Sequence, residues 1–68
     1  MRRSSDVDTG QLFAANGLGL IWRVERHLAD GIHVVIVRRD DASRKKTISV
    51  SGLLDTDQFL PIVHPPTS

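Results

Sequence analysis

A run of β-branched residues directly after a tight break constrains this chain more than any other feature of its sequence. Residues 32–37 read Ile-His-Val-Val-Ile-Val, and the stiff side chains of valine and isoleucine suit a pleated strand better than a helix. Upstream, residues 20–28 largely alternate between apolar and charged side chains, and Ala29, Asp30 and Gly31 separate the two segments. Two strand patterns joined by a short loop that contains glycine predict a β-hairpin.

A three-residue loop with glycine in its last position adds one bulged residue at the turn, and this loop type predicts the register of the hairpin. It places Leu28 opposite Ile32 and Val24 opposite Ile36. One face of the hairpin is then almost wholly apolar, with Leu20, Trp22, Val24, Leu28, Ile32, Val34 and Ile36. A slip by one residue would scatter these side chains over both faces, so the bulged register is the predicted one.

A third strand is predicted after the polar loop that follows this hairpin. Residues 47–51 alternate strictly, and pairing Ile36 with Ile48 and Val34 with Val50 extends the same apolar face. Trp22 lies on this face beside Val24, so we expect its indole ring to belong to the core rather than to a ligand site. The three strands together form a meander.

The flanking segments supply the remaining elements. Asn16-Gly17 is a strong hairpin signal that would fold residues 12–15 back on residues 18–21. Downstream, residues 52–55 predict a short helical turn and residues 59–63 a last strand, which Pro61 confines to a sheet edge.

The predicted fold class is therefore mainly β, a small single-domain antiparallel meander with one short helical turn before the last strand. Its layout over about 50 residues resembles that of SH3-like barrels, the group that contains the Tudor and KOW modules. The resemblance is one of architecture alone, so it implies no function and no site residue for this chain.

The length of 68 residues predicts one domain. Residues 1–10 are polar and aperiodic and predict a flexible N-terminal tail, residues 11–63 the folded domain, and residues 64–68 a flexible C-terminal tail. We find neither the apolar segment of a signal peptide nor a run of 18 apolar residues, so we expect no membrane association. The absence of cysteine favours a cytoplasmic protein.

Catalytic and metal chemistry find little support in the residues. There is no nucleophile elbow, and Gly17-Leu18-Gly19 lacks the third glycine of a dinucleotide-binding loop. His27 and His33 would face each other across the predicted hairpin, but a stable zinc site needs three or four protein ligands. We therefore expect a protein that is not an enzyme and that has no metal site and no cofactor.

A basic segment at residues 38–46 gives the first of two binding hypotheses. It carries five positive and two negative charges, whereas the chain as a whole has a net charge of only +1. The candidate nucleic-acid-binding residues are Arg38, Arg39, Arg44, Lys45 and Lys46. A protruding basic loop can contact phosphates, although Asp40 and Asp41 would neutralise part of its charge.

The outer face of the predicted meander gives the second binding hypothesis. This face carries three apolar residues, Ile21, Val35 and Val37, among residues that are otherwise polar. An apolar spot within a polar frame is typical of a small protein-interaction surface. Because the chain is nearly neutral and poor in aromatic residues, we favour binding to another protein or to a second copy, with nucleic-acid binding as the alternative.

Overall fold

The computed structural model describes residues 3–17 and 19–62, and it confirms the mainly β fold. Five antiparallel strands form a curled half-barrel, with one short helix before the last strand. The elements are β1 at Leu12–Ala15, β2 at Ile21–His27, β3 at His33–Arg38, β4 at Lys45–Ser49, α1 at Val50–Leu53 and β5 at Phe59–Ile62. The predicted C-terminal tail at residues 64–68 lies outside the described residues.

The strand order is β4-β3-β2-β1-β5, so the first four strands form the predicted meander. The helix α1 and the loop after it then carry the chain from β4, at one edge of the sheet, to β5, at the other. There β5 pairs antiparallel with β1, with Ala15 opposite Phe59 and Phe13 opposite Pro61. The prediction that Pro61 lies in an edge strand is confirmed.

The short helix begins two residues earlier than predicted. Ser49 caps it by accepting a hydrogen bond from the backbone N–H of Gly52 at 3.1 Å. Val50 therefore belongs to the helix and not to a strand, and Val34 pairs with Ile48 instead of Val50. The predicted register between the second and third strands of the meander was thus wrong by two residues, which leaves the apolar face unchanged because side chains alternate with period two.

The hairpin of β2 and β3 follows the predicted register in the half that lies away from the turn. Trp22 pairs with Arg38 and Val24 pairs with Ile36. Nearer the turn the pairing differs, because a β-bulge at Glu25 shifts the register by one residue. The predicted bulge at the turn was wrong, and the extra residue lies in the middle of β2.

The reason lies in the turn, where Asp30 makes the loop one residue longer than predicted. Its carboxylate accepts hydrogen bonds from the backbone N–H groups of Ile32 and His33, both at 2.9 Å. Ile32 therefore belongs to the loop, and Leu28 bonds to His33 instead. Ile32 is 44% exposed and was wrongly assigned to the core.

The longer loop also separates the two histidines that we expected to face each other. His27 pairs with Val34, and its Nε2 lies 2.8 Å from the backbone oxygen of Val7. His33 contacts the carboxylate of Asp30 through Nδ1. Each imidazole thus has a hydrogen-bonding partner of its own, and the two partners are different residues.

The upstream hairpin is present, but its loop is longer than a two-residue turn. Ala14 pairs with Ile21, and the N–H of Ala15 donates to the oxygen of Leu20 at 2.7 Å. Gly17 has a φ of 78°, a left-handed conformation that glycine adopts without steric cost. The pairing is shifted by two residues from the predicted one.

The core lies on the concave face of the half-barrel, and it confirms that Trp22 is buried. Its members come from the segment before β1, from α1 and from every strand except β4. They are Val7, Phe13, Trp22, Val24, Val34, Ile36, Val50, Leu53 and Phe59. Ile48 of β4 packs against this cluster and is partly buried.

The presence of Val7 in the core corrects the predicted N-terminal tail. Its side chain is only 1% exposed, and the N–H of Gly10 donates to the oxygen of Val24 at 2.8 Å. Ser4–Asp6 form a 3-10 turn that precedes this buried residue. One apolar side chain in a polar run gives no periodic signal, yet here it is part of the core, so the domain extends upstream of Gln11.

Candidate functional site

The outer, convex face of the sheet does not expose the two valines that the protein-binding hypothesis requires. Val35 is 8% exposed and Val37 only 2% exposed, so neither offers an accessible apolar side chain. An ion pair crosses this face, in which Lys45 Nζ lies 2.8 Å from Glu25 Oε1, and Lys45 is the residue directly opposite Val37. Glu25 belongs to β2 and Lys45 to β4, so their long side chains meet across β3 above the valines.

Ile21, the third member of the predicted patch, lies at the start of β2 on the same outer face. It is half-buried, and it shares a cross-strand row with Ala14 of β1 and Leu60 of β5. Leu60 is 48% exposed. Toward β3, Arg23 pairs with Val37 and lies two residues from Ile21 on the same face of β2, so Ile21 is a diagonal neighbour of Val37.

The basic segment is neutralised by carboxylates to a large extent. Arg38 donates two hydrogen bonds to Asp40, at 3.0 and 2.7 Å, and Arg44 lies 3.6 Å from Asp41. The bonds between Arg38 and Asp40 lower the pKa of the Asp40 carboxyl and raise that of the guanidinium. Lys45 is held by Glu25, so three of the five predicted phosphate-binding side chains already have an acidic partner.

Lys46 differs from its neighbours because it reaches over aromatic rings. Its Nζ lies 4.7 Å from the ring centroid of Trp22 and 5.5 Å from that of Phe59, within range of a cation–π interaction. Within residues 3–17 and 19–62, no carboxylate lies within ion-pair distance of Lys46 or of Arg39. Phe59 belongs to β5, so Lys46 spans the open side of the half-barrel between the two edge strands.

The edge of β4 presents backbone groups that point away from the sheet. The backbone N–H of Arg38 donates to the carbonyl oxygen of Arg44, and that of Val50 donates to the carbonyl oxygen of Ile32. Because alternate residues of a strand bond on opposite sides, the even-numbered residues of β4 are the ones bonded to β3. Lys45 and Thr47 therefore direct their N–H and C=O groups outward. Among the described residues, none of these four groups has a hydrogen-bond partner.

The edge of β5 has the opposite character. The N–H of Asn16 donates to Gln58, so residues 60 and 62 bond to β1 while Phe59 and Pro61 face outward. The N–H of Phe59 is already bonded to Asp55 at 2.9 Å, and proline has no N–H. In the described part of the strand, β5 thus offers no outward donor.

An open cleft of about 470 Å³ adjoins the β4 edge at the end of the basic segment. Its lining combines an aromatic ring with charged and polar side chains, namely Trp22, Asp41, Ser43, Arg44, Lys45 and Lys46. A strand added to β4 would pass beside this cleft. Sequence reasoning missed the edge as a site, although the predicted meander places its third strand at one side of the sheet.

Comparison with known proteins gives no information on function, so a functional proposal depends on the surfaces described above. No known protein family matches the sequence, and neither the curated proteins nor the solved structures include one that is significantly similar to it. Within the described ranges, no cluster of three His, Cys, Asp or Glu side chains is arranged to hold a metal ion. No helix in that part of the chain has the length and apolar character needed to cross a membrane.

Proposed function

We propose that this chain is a small, non-enzymatic binding module that recognises another protein by adding one of its strands to the edge of β4. The observation that carries the proposal is the pair of residues Lys45 and Thr47, whose backbone donors and acceptors point outward without partners in the described chain. An extended peptide can satisfy such groups by completing an antiparallel or parallel ladder. The half-barrel with a helix before its last strand is also compatible with an SH3-like architecture.

The difference between the two edges supports an ordered complex instead of open-ended association. Pairing of β4 in one copy with β5 in the next would generate a filament, but Pro61 and the engaged N–H of Phe59 leave β5 without donors. The accessible ladder positions are therefore those of β4. A single edge of this kind accepts one strand.

The outer apolar patch around Ile21 and Leu60 carries less of the argument than the edge does. Val35 and Val37 are buried, so only part of the apolar surface that the sequence indicated is accessible. The edge of β4, by contrast, has a defined hydrogen-bonding geometry and a defined direction.

Nucleic-acid binding by the basic segment stays an alternative, without an observation of its own that favours it. Asp40 and Asp41 lie among the arginines and pair with them, so phosphates would have to displace existing ion pairs.

The test is a change that closes the edge without weakening the sheet. Thr47→Pro removes one outward N–H and places a ring at the edge, and it removes no bond to β3, because the N–H of Thr47 does not point there. Peptides of about nine residues, near the upper end of strand length, are selected from a displayed random library against the full chain. Their affinity for the variant is then measured by fluorescence anisotropy.

We expect selected peptides to lose at least about tenfold in affinity for Thr47→Pro, because one ladder bond is lost and the proline ring obstructs the approach of the added strand. Thr47→Val is the matched control, since it changes the side chain and keeps the backbone donor, and it should bind like the original protein. Circular dichroism establishes that both variants fold. Equal affinity of the proline and valine variants would overturn the proposal.

A further inference from the structure

We propose that the strand captured by β4 is an acidic one, with an Asp or Glu side chain placed opposite Lys46. This inference rests on the proposed function and specifies its partner, an extended segment of another protein with at least one carboxylate on the face that turns toward the inside of the half-barrel. Four observations lead to it, and each concerns the surroundings of Lys46.

The first observation is the direction of the Lys46 side chain. Lys46 pairs with Ile36, whose side chain is fully buried in the core, so Lys46 also lies on the inner face. Residues directly opposite each other in neighbouring strands project to the same face. In a strand added to β4, the residue opposite Lys46 would therefore direct its side chain toward the lysine amine.

The second observation is the unmatched charge of that amine. Of the four cations between Arg38 and Lys45, three are paired with Asp40, Asp41 or Glu25, whereas no carboxylate in the described residues lies within 4.0 Å of Lys46. A neutral or basic side chain opposite Lys46 would leave its charge without compensation and partly remove it from water, which is unfavourable. A carboxylate there would form a charge-assisted hydrogen bond.

The third observation is the aromatic pair beneath the amine. Trp22 and Phe59 are 8% and 5% exposed, and their ring centroids lie 4.7 and 5.5 Å from Lys46 Nζ. A carboxylate that reached this amine would sit between the added strand and two apolar rings. Ion pairs partly shielded from water are stronger than fully solvated ones, so this position discriminates between acidic and other side chains.

The fourth observation concerns what the site disfavours. A second copy paired with β4 about Thr47 would place Ile48 opposite Lys46, and its apolar side chain could not compensate the amine. A nucleic acid would present a continuous row of phosphates, and these would have to displace Asp40 and Asp41 from Arg38 and Arg44 just beyond the end of β4. A peptide with one or two carboxylates meets the cation and avoids the aspartates.

The experiment compares peptide selection on three forms of the full chain. The probe is the displayed random library of about nine-residue peptides, a length typical of strands. The forms are the original protein, Lys46→Met, which keeps a long apolar stem, and Lys46→Glu, which reverses the charge. Arg39→Met is the matched control, because it removes an exposed cation that also has no carboxylate partner in the described residues but lies outside β4.

We expect the original protein and Arg39→Met to enrich peptides with a central Asp or Glu, and Lys46→Glu to enrich peptides with Lys or Arg there. An acidic peptide selected on the original protein should bind Lys46→Met about fivefold more weakly, the range of a partly exposed ion pair. On the original protein, replacing the acidic residue of the peptide by Gln should weaken binding by the same factor. On Lys46→Met, the same replacement should cause no additional loss of affinity.

Other outcomes would overturn the inference. Peptides that bind and depend on Thr47 but show no acidic preference would refute the acidic partner and leave strand addition standing. Retention of single-stranded oligonucleotides in place of peptides would assign the surface to nucleic acid, and sedimentation that shows a Thr47-dependent dimer without peptide enrichment would assign it to self-association. The absence of all three would refute the proposed function as well.

Discussion

The two edge strands of this sheet meet solvent with opposite chemistry, although both flank the same core. At β5 the outward positions are Phe59 and Pro61, and neither offers a backbone donor. At β4 they include Lys45 and Thr47, and both offer a donor and an acceptor. Proteins commonly protect strand edges with proline or with inward-pointing lysine. Here β5 carries the proline, which blocks any added strand, whereas β4 carries Lys46, which blocks strands selectively.

The largest effect on stability is expected from a substitution in the core that both edge strands flank. Trp22→Ala should lower the free energy of unfolding by about 3–5 kcal/mol, a large fraction of the stability of a small domain, because the indole is buried. Thermal unfolding followed by circular dichroism measures the loss. Trp22→Phe keeps a ring and should lose less, and an unchanged melting temperature in Trp22→Ala would contradict the assignment of this residue to the core.

An intermediate effect is expected from making the two edges alike. Pro61→Ala gives β5 one outward N–H, so that β4 of one copy can pair with β5 of the next, and association should then increase with concentration. Sedimentation velocity over a range of concentrations detects it. Adding Thr47→Pro should abolish the gain. If Pro61→Ala sediments like the original protein at every concentration, the proline is not what closes β5.

The smallest effect concerns the ion pair that joins β4 to β2. The hydrogen bond from Lys45 holds the pKa of Glu25 below its ordinary value of 4.5. The pair therefore stabilises the fold above about pH 4.5, and this contribution is lost as the pH falls through the lowered pKa. Glu25→Gln should melt slightly below the original protein at neutral pH and equal to it in acid. A difference that persisted in acid would mean that Glu25 acts through packing.

Most of the fold could be predicted from local pattern. The alternation around Val24 and the β-branched residues around Ile36 were sufficient for the central hairpin, its distal register and the position of Trp22. Pro61 was sufficient to place the last strand at an edge. These features depend on side-chain periodicity and on the missing N–H of proline, which are properties of short sequence windows.

The remainder depended on contacts between distant residues. Val35 and Val37 are buried on a face that the ion pair of Glu25 and Lys45, 20 positions apart, crosses, and no short sequence window contains that pair. The bulge at Glu25 compensates for a turn that Asp30 lengthens through its carboxylate. The outward direction of the Lys45 and Thr47 donors depends on which residue pairs of the β3–β4 ladder are the hydrogen-bonded ones, and side-chain periodicity does not determine this.

The pairing of β1 with β5 has a consequence for synthesis on the ribosome. Ala15 pairs with Phe59, which lies 44 positions later, and chains grow at about 5–20 residues per second. The backbone donors and acceptors of β1 that face β5 therefore remain unpaired for roughly 2–9 seconds, until β5 has been synthesised. During that interval the nascent chain exposes a second open edge, without a proline or an inward lysine to guard it, and co-translational aggregation would begin there.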